Sequence, residues 1–421
     1  MVVALILFAI MYVCLLLLPD YRYITALIAA GVFVVIGILP IDKVFGAVDW
    51  NIILMLTGTM IVVELFIESN MPMLMAEKLL QIVPNVKWAV VALSLFSGVV
   101  SAFVDNVATV LMVAPIGLEV CKKLNTNPVP VIISIAVSSN LQGAATLVGD
   151  TTSILLGAAA NMSFNDFFVF LGKPSICLSV EVGALLTVPI LLYLFRKDSA
   201  PVHEDVTAKV QDYVPTVLLF GVIIALIFAS QFENKPALTN GIICMSFGIV
   251  GCIYEMFKEK SSDVWKRAWK SIDFQTLLLL AGLFIVIAGI TEAGVIDAIA
   301  EMFVKIGGNS LFVMYTMIVF VSVVVSAFVD NIPYVATMLP VVKGIALTMG
   351  VEPYLLYFGL LIGATLGGNL TPVGASANIA GIGILQKAGY EVSTKDFMRI
   401  GIPFTMTAVI SGYLVTWLIW A

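Results

Sequence analysis

Charge is scarce in this chain. Only 11% of its 421 residues are Asp, Glu, Lys or Arg, against about 25% in an ordinary soluble domain. Histidine is nearly absent. The one copy, His203, sits beside Glu204 and Asp205 in a polar stretch, which argues against a histidine metal centre or a histidine-based catalyst. The five cysteines, Cys14, Cys121, Cys177, Cys244 and Cys252, stand singly in or near apolar runs. Without paired spacing they read as packing residues, not as ligands or disulfides. Basic and aromatic residues nowhere cluster as nucleic-acid binding requires. Residues 2–18 are apolar but lack a basic n-region and a small-residue cleavage site, so they read as a retained helix.

What fills the chain instead is apolar: 61% of residues are hydrophobic and the mean hydropathy is +1.09. A bilayer-spanning helix needs about 20 such residues, and the chain has many runs of that kind. The expected class is an all-α, polytopic integral membrane protein whose surroundings are the lipid bilayer. The net charge of −6 is spread over loops and points to no partner.

Within this background one octamer is duplicated. VVSAFVDN at Val99–Asn106 recurs unchanged as Val324–Asn331, 225 positions later. The register extends outward. Asp49-Trp50-Asn51 matches Asp273-Phe274-Gln275, Gly58 matches Gly282, Pro115 matches Pro340, and Val148-Gly149 matches Val373-Gly374. An internal repeat of this length divides the chain into a first unit, 1–196, a linker, 197–212, and a second unit, 213–421. Five spans are expected per unit, about ten in all: 2–18, 22–39, 50–70, a broken helix 131–161 and 175–195, then 213–230, 238–256, 273–292, a broken helix 354–386 and 400–420. Stretches 87–122 and 310–349 are too polar in the middle for a clean span. Each reads as a re-entrant helical hairpin with Val-Asp-Asn at its tip, buried in protein as irregular backbone at membrane depth must be. Stretch 71–84 reads as an amphipathic helix at the interface.

An odd number of spans per unit makes the repeat inverted. Basic residues test this, because they favour the cytoplasmic side. With the 258–270 loop in the cytoplasm, 16 of the 21 Lys and Arg residues fall on that side, Arg22 among them, leaving Lys43, Lys173, Lys235, Lys305 and Lys343 opposite. Both termini are then outside.

Four polar segments are expected to meet at the centre. Two are the tips, Asp105-Asn106 and Asp330-Asn331, with Thr109 and Thr337 shortly after them. Two are helix breaks, Gly149-Asp150-Thr151-Thr152-Ser153 and Gly374-Ala375-Ser376-Ala377-Asn378. Glycine lets the backbone leave helical geometry, and a break exposes carbonyls of one half-helix and amides of the next. Carbonyl, Asp, Asn, Ser and Thr oxygens suit a hard cation, while half-helix N-termini suit an anion. Asp105 and Asp330 also suit helix capping. No Lys or Arg lies within either octamer or either break, and a buried, uncompensated carboxylate takes a proton or holds a cation. Na⁺ or H⁺ is therefore the expected coupling ion, with Asp105, Asn106, Asp330 and Asn331 as candidate Na⁺ ligands and no other cofactor. Glu64, inside an apolar span, is a candidate proton carrier. Asn140, Gln142 and Asn369 read as interhelical hydrogen-bond partners.

At these motifs the chain resembles the ion transporter superfamily. It is most similar to the arsenite-permease/NhaD-type branch that includes the melanosomal P protein, and more distantly to the divalent anion:sodium symporters and citrate transporters. The resemblance rests on Ser101–Asn106, Gly149-Asp150, Asp330-Asn331 and Gly367–Asn378, and covers nearly the whole chain. It implies a homodimer in a prokaryotic plasma membrane, with a scaffold and a mobile transport domain working by an elevator motion. The chain departs from the branch at Thr151-Thr152-Ser153, where Pro-Pro-Asn is usual, and at Leu370, where Gly is usual.

The function these features imply is a secondary transporter coupling Na⁺ or H⁺ to a small inorganic or carboxylate anion. A Na⁺/H⁺ antiporter and a passive anion channel would use the same residues. An intramembrane aspartyl protease also needs two aspartates, but not a duplicated octamer, so no enzymatic activity is expected.

Overall fold

The computed structural model describes residues 1–124, 126–202, 207–232, 235–308 and 310–421; His203 and Glu204-Asp205 lie outside them. The first half runs through α1 (Val2–Leu17), α2 (Arg22–Val35), α3 (Ile41–Ala47), α4 (Trp50–Glu68), α5 (Met71–Gln81), α6 (Val86–Ser101), α7 (Asn106–Lys123), α8 (Val129–Gly143), α9 (Thr151–Ala159) and α10 (Ile176–Leu194). The second half runs through α11 (Val214–Ala229), α12 (Thr239–Glu259), α13 (Asp263–Ser271), α14 (Phe274–Glu292), α15 (Val295–Gly307), α16 (Leu311–Ser326), α17 (Asn331–Met349), α18 (Tyr354–Leu361), α19 (Ser376–Lys387) and α20 (Thr394–Trp420). A π-turn, Ile362–Leu366, and a 3-10 turn, Gly368–Leu370, follow α18. Two paired two-residue strands, Val169–Phe170 and Lys173–Pro174, precede α10.

The same devices start corresponding helices in both halves. Asp49 caps α4 by accepting from the Asn51 and Ile52 amides, and Asp273 caps α14 by accepting from Thr276. Asn85 caps α6 and Ser310 caps α16. Such caps satisfy amides that have no partner within the helix. Packing repeats as well: α4 lies along α12, and α14 along α2. Both contacts need a glycine. A Cβ on Gly58 would collide with the Cys244 backbone, and one on Gly282 would lie 2.8 Å from the Ala26 carbonyl carbon. Close approach through small residues is how apolar helices gain contact where there is no hydrophobic drive between them.

The broken helices form the centre. In α8 every residue but Pro130 is buried, its Ser, Asn and Gln side chains included, and in α18, which is apolar all round, every residue but Tyr354. Outer helices instead expose apolar rows, such as Ile6, Ile10 and Val13 of α1 and Val217, Ile224 and Phe228 of α11.

Span lengths differ from the sequence expectation. Among the described residues six helices, α4, α10, α12, α14, α17 and α20, are long and apolar enough to cross a bilayer, or eight spans if each bent pair counts as one. The expected ten included 2–18 and 22–39 as separate spans. At 1.5 Å per residue the 14 residues of α2 reach only about 21 Å, short of a hydrocarbon core of about 30 Å. The chain bends by 119° between α1 and the segment Pro19–Val35. Conversely α17, expected as one arm of a hairpin, is itself long enough to cross. Helix α5 carries a buried acid, Glu77, which accepts hydrogen bonds from the Thr207 and Ala208 amides.

Candidate functional site

Helices α6 and α7, and again α16 and α17, meet at the duplicated octamer. Asp105 caps α7 through Oδ2, which accepts from the Val107 and Ala108 amides at 3.0 and 3.2 Å. Asp330 caps α17, with Oδ1 accepting from Ile332 N at 3.1 Å. The capping reading of both residues therefore holds, and it leaves further carboxylate capacity at each tip.

The helix breaks press against these tips. A Cβ on Gly149 would lie 2.5, 2.6 and 2.8 Å from the carbonyl oxygens of Gly143, Ser101 and Ala102. On Gly374 it would lie 2.5, 2.6 and 2.9 Å from those of Gly368, Ser326 and Ala327. These are corresponding atoms in the two halves, so each break glycine sits in a cradle of three carbonyls that only a missing side chain permits. Thr146 Oγ1 donates to the Ala102 carbonyl, and Thr371 Oγ1 to the Ala327 carbonyl. Ser153 Oγ donates to Gly143 O at 3.4 Å, and Asn378 Nδ2 to Gly368 O at 3.1 Å.

A cavity of about 390 Å³ opens between the segments. Its wall includes Glu64, Asp105, Asn106, Asp150, Thr151, Asn331 and Ser376, together with Asp273 and Thr276. Both tips, both breaks and Glu64 thus share one space. Four carboxylates line it, and among the described residues no Lys, Arg or His does. Asp150, 2% exposed, accepts from Thr152 Oγ1 at 2.7 Å, and Thr152 in turn meets Thr365 Oγ1 at 2.9 Å. Asn331, also buried, carries an Nδ2 with no partner among the described residues.

The two tips differ in one respect that their shared octamer conceals. Arg22 Nη1, from the first turn of α2, donates to Asp330 Oδ2 at 2.9 Å, and Ser376 Oγ donates to the same oxygen at 2.9 Å. Asp330 is 4% exposed and is charge-compensated, contrary to the expectation that both aspartates lack a basic neighbour. The absence of Lys and Arg within the motifs was no guide, because the cation arrives from 308 positions away. Arg22 therefore does not lie free in a loop. Asp105 has no ion pair among the described residues. Tyr12 of α1 reaches the same hairpin, donating to Pro333 O at 2.9 Å and meeting Thr337 Oγ1.

Behind the cavity runs a chain of amides. Asn106 Nδ2 donates to Asn140 Oδ1 at 2.9 Å, Asn140 Nδ2 to Thr365 O at 2.8 Å and Asn369 Oδ1 at 3.0 Å, and Asn369 Nδ2 to Val137 O at 3.0 Å. Asn140 and Asn369 thus join segments from the two halves. Gln142 Oε1 has no partner among the described residues.

Of the candidates picked from sequence, the cavity wall gathers Glu64, Asp105, Asn106, Asp150, Thr151, Asn331 and Ser376. Asp330 lies just behind it, in a smaller recess of about 150 Å³ with Asp20, Arg22 and Asp273. Gly149, Thr152, Ser153, Gly374 and Asn378 shape the breaks. Thr109 Oγ1 turns back to Val104 O at 3.4 Å, and Thr337 is held by Tyr12. Arg22, Asp273 and Thr276 were not singled out. No local sequence signal pointed to Arg22, because the run 22–39 reads as a full span and its partner lies 308 positions away.

Comparison with known proteins agrees with this architecture. The family model described as "Citrate transporter" matches residues 3–363. A "46 kDa membrane protein" of Mycobacterium leprae is 31% identical over 407 residues, covering 94% of each chain. The P protein of Sus scrofa is 26% identical over 472 residues, covering 92% of this chain and 55% of that one. Among solved structures, the YdaH transporter of Alcanivorax borkumensis superposes with a TM-score of 0.61 at 12% identity, covering 96% of this chain and 97% of that one; the likeness is one of fold.

Proposed function

The chain belongs to the citrate transporter family, and we propose that it is a secondary active transporter coupling Na⁺ or H⁺ to the movement of a small carboxylate anion of the citrate type. The observation that carries this reading is the cavity between the tips, whose wall holds Glu64, Asp105, Asp150 and Asp273 and, among the described residues, no basic side chain. Uncompensated carboxylates gathered around one cavity, with Asp150 fully buried, take up protons or cations. An anion is repelled until they do. Once Asp105 and Asp150 are neutralised, the amides opening α9 and α19 and the unpartnered Asn331 Nδ2 can receive carboxylate oxygens. Cation binding thereby becomes the condition for anion binding, which is what coupled transport requires.

With the 258–270 loop in the cytoplasm, the cavity edge at Ser271–Thr276 faces inward. A separate space of about 770 Å³, bordered by Asp49, Asn51 and Lys235, faces outward. An elevator motion of the hairpins and broken helices, in a homodimer, would alternate access between the two sides. The lack of basic lining residues favours one other reading, exchange of Na⁺ for H⁺ with no anion.

Both readings are tested with protein reconstituted in liposomes carrying an internal pH dye. Labelled citrate is supplied with an imposed Na⁺ or H⁺ gradient, for wild type and Asp105→Asn. Gradient-driven uptake abolished by the substitution supports symport. A Na⁺-driven pH change without uptake replaces it with antiport, and silence from folded protein under both gradients rules out both.

A further inference from the structure

The two tips have the same eight residues, so any difference in what they bind comes from their neighbours. At the first tip, Asp105 receives two backbone amides and faces the cavity. At the second, Asp330 receives one amide, the Ser376 hydroxyl and the Arg22 guanidinium. Ser376 corresponds to Thr151, and both line the cavity. Arg22 has no counterpart. Helix α12, which packs on α4 as α2 packs on α14, has no Lys or Arg before Lys258, so nothing in it can reach Asp105 as Arg22 reaches Asp330.

The fold fixes the position of Arg22. It begins α2 directly after the 119° bend that follows α1, and Tyr12 of α1 holds the same hairpin through Pro333 O. Its guanidinium is mostly covered, at 18% exposure. A carboxylate that has a permanent, partly buried cation at 2.9 Å gains little from a second, mobile one, and crowding a further positive charge beside the guanidinium is unfavourable.

We propose that Arg22 is a tethered cation that occupies the second tip permanently, so that the mobile coupling cation binds at the Asp105 tip alone. Two tips identical in sequence would then be divided into one structural and one coupling site. The proposal rests on the coupled-transport reading and narrows it to one carboxylate of the repeated pair.

The test counts cations on purified full-length protein, as ²²Na⁺ bound at equilibrium plus protons taken up from weakly buffered dye solution. Asp105→Asn should lose about one cation per protomer, because its carboxylate is gone. Arg22→Gln should gain about one, because Asp330 is left uncompensated. Arg22→Lys and the double variant Arg22→Gln/Asp330→Asn should match wild type. An unchanged count in folded Arg22→Gln overturns the proposal, as does a lost cation in the double variant. If Arg22→Gln does not fold, the double variant decides alone: Asp105→Asn added to it must still remove a cation. Should Asp105→Asn lose nothing from wild type, the coupled-transport reading fails as well. If it loses its cation while Arg22→Gln gains none, only the role of Arg22 fails.

Discussion

Arg22 and Asp330 form an ion pair at 2.9 Å with side-chain exposures of 18% and 4%, joining the start of α2 to the tip of the second hairpin. Removing one member of a buried pair leaves the other charge uncompensated, at about 3–5 kcal/mol, whereas replacing both with neutral groups costs much less. Arg22→Gln and Asp330→Asn should therefore each lower thermal stability in detergent sharply. The double variant should recover most of the loss. Additive losses in the double variant would show that the pair contributes no coupling energy, for which contacting residues typically give about 0.5–3 kcal/mol.

The division of the sequence into readable and unreadable parts follows from the range of the interactions. Hairpin tips at Asp105 and Asp330 and breaks before Thr151 and Ser376 were legible because glycine, Asp caps and the repeat act locally. Glu64 joined the same cavity wall, as an acid inside an apolar run suggests. The state of Asp330 was not legible, since it depends on Arg22 folding back across 308 positions. Helix lengths differ from the expected spans for a related reason. Apolar runs at 2–18 and 22–39 look like two spans, but hydropathy carries no information about the bend between them.

Gly149→Ala and Gly374→Ala should be the most disruptive of the glycine substitutions near the cavity. Each added methyl would meet backbone carbonyl oxygens at 2.5 and 2.6 Å, and backbone cannot swing aside as a side chain can. Overpacking of this kind costs about 1–3 kcal/mol or more and would push the break away from its tip. Gly383→Ala is the control, because its Cβ meets nothing within 4 Å; there the better helix propensity of alanine should raise stability slightly. Melting temperatures of the three variants provide the comparison. Equal effects at Gly149 and Gly383 would remove the carbonyl cradle as an explanation.

Asn140→Ala should cost more than a single hydrogen bond. Its amide serves Asn106, Thr365 O and Asn369, and all lie buried, so truncation strands several groups at about 1–3 kcal/mol for each left unpaired. Asn140 and Asn369 share one network, so Asn140→Ala/Asn369→Ala should be less destabilised than the sum of the singles. Strict additivity in a thermal-shift series would mean that the amide chain is not cooperative.

Asp212, ahead of α11, supplies a pH-dependent term away from the cavity. Burial pushes its pKa up. The Lys258 ammonium at 2.6 Å, the Val214 amide at 2.9 Å and the Tyr254 hydroxyl outweigh this and hold the pKa below its ordinary value. A depressed folded-state pKa means the stabilisation is fully present above the unfolded value of about 3.9 and disappears as pH falls through the folded value. Asp212→Asn should thus be less stable than wild type at pH 7, by about 0.5–1 kcal/mol given the exposed lysine, and the gap should close only in stronger acid, as pH falls through the depressed folded-state value. A gap that persists in acid would assign the effect to packing.

Thiol labelling tests which way the cavity opens. Once Cys14, Cys121, Cys177, Cys244 and Cys252 are replaced, Thr276→Cys places a single thiol on the wall of the carboxylate-lined cavity. Ala237→Cys places one on the border of the opposite space. If the 258–270 loop is cytoplasmic, an impermeant thiol reagent should modify Thr276→Cys in inside-out vesicles and Ala237→Cys in right-side-out vesicles. Na⁺ or citrate should slow the first reaction and leave the second unchanged, because only the first thiol shares a cavity with Asp105 and Asn331. Labelling of Thr276→Cys from outside alone would invert the topology and turn the cavity outward. Labelling from both sides at comparable rates would mean that the closed side of the structure opens readily, and a passive pathway would then account better for these residues than a coupled one.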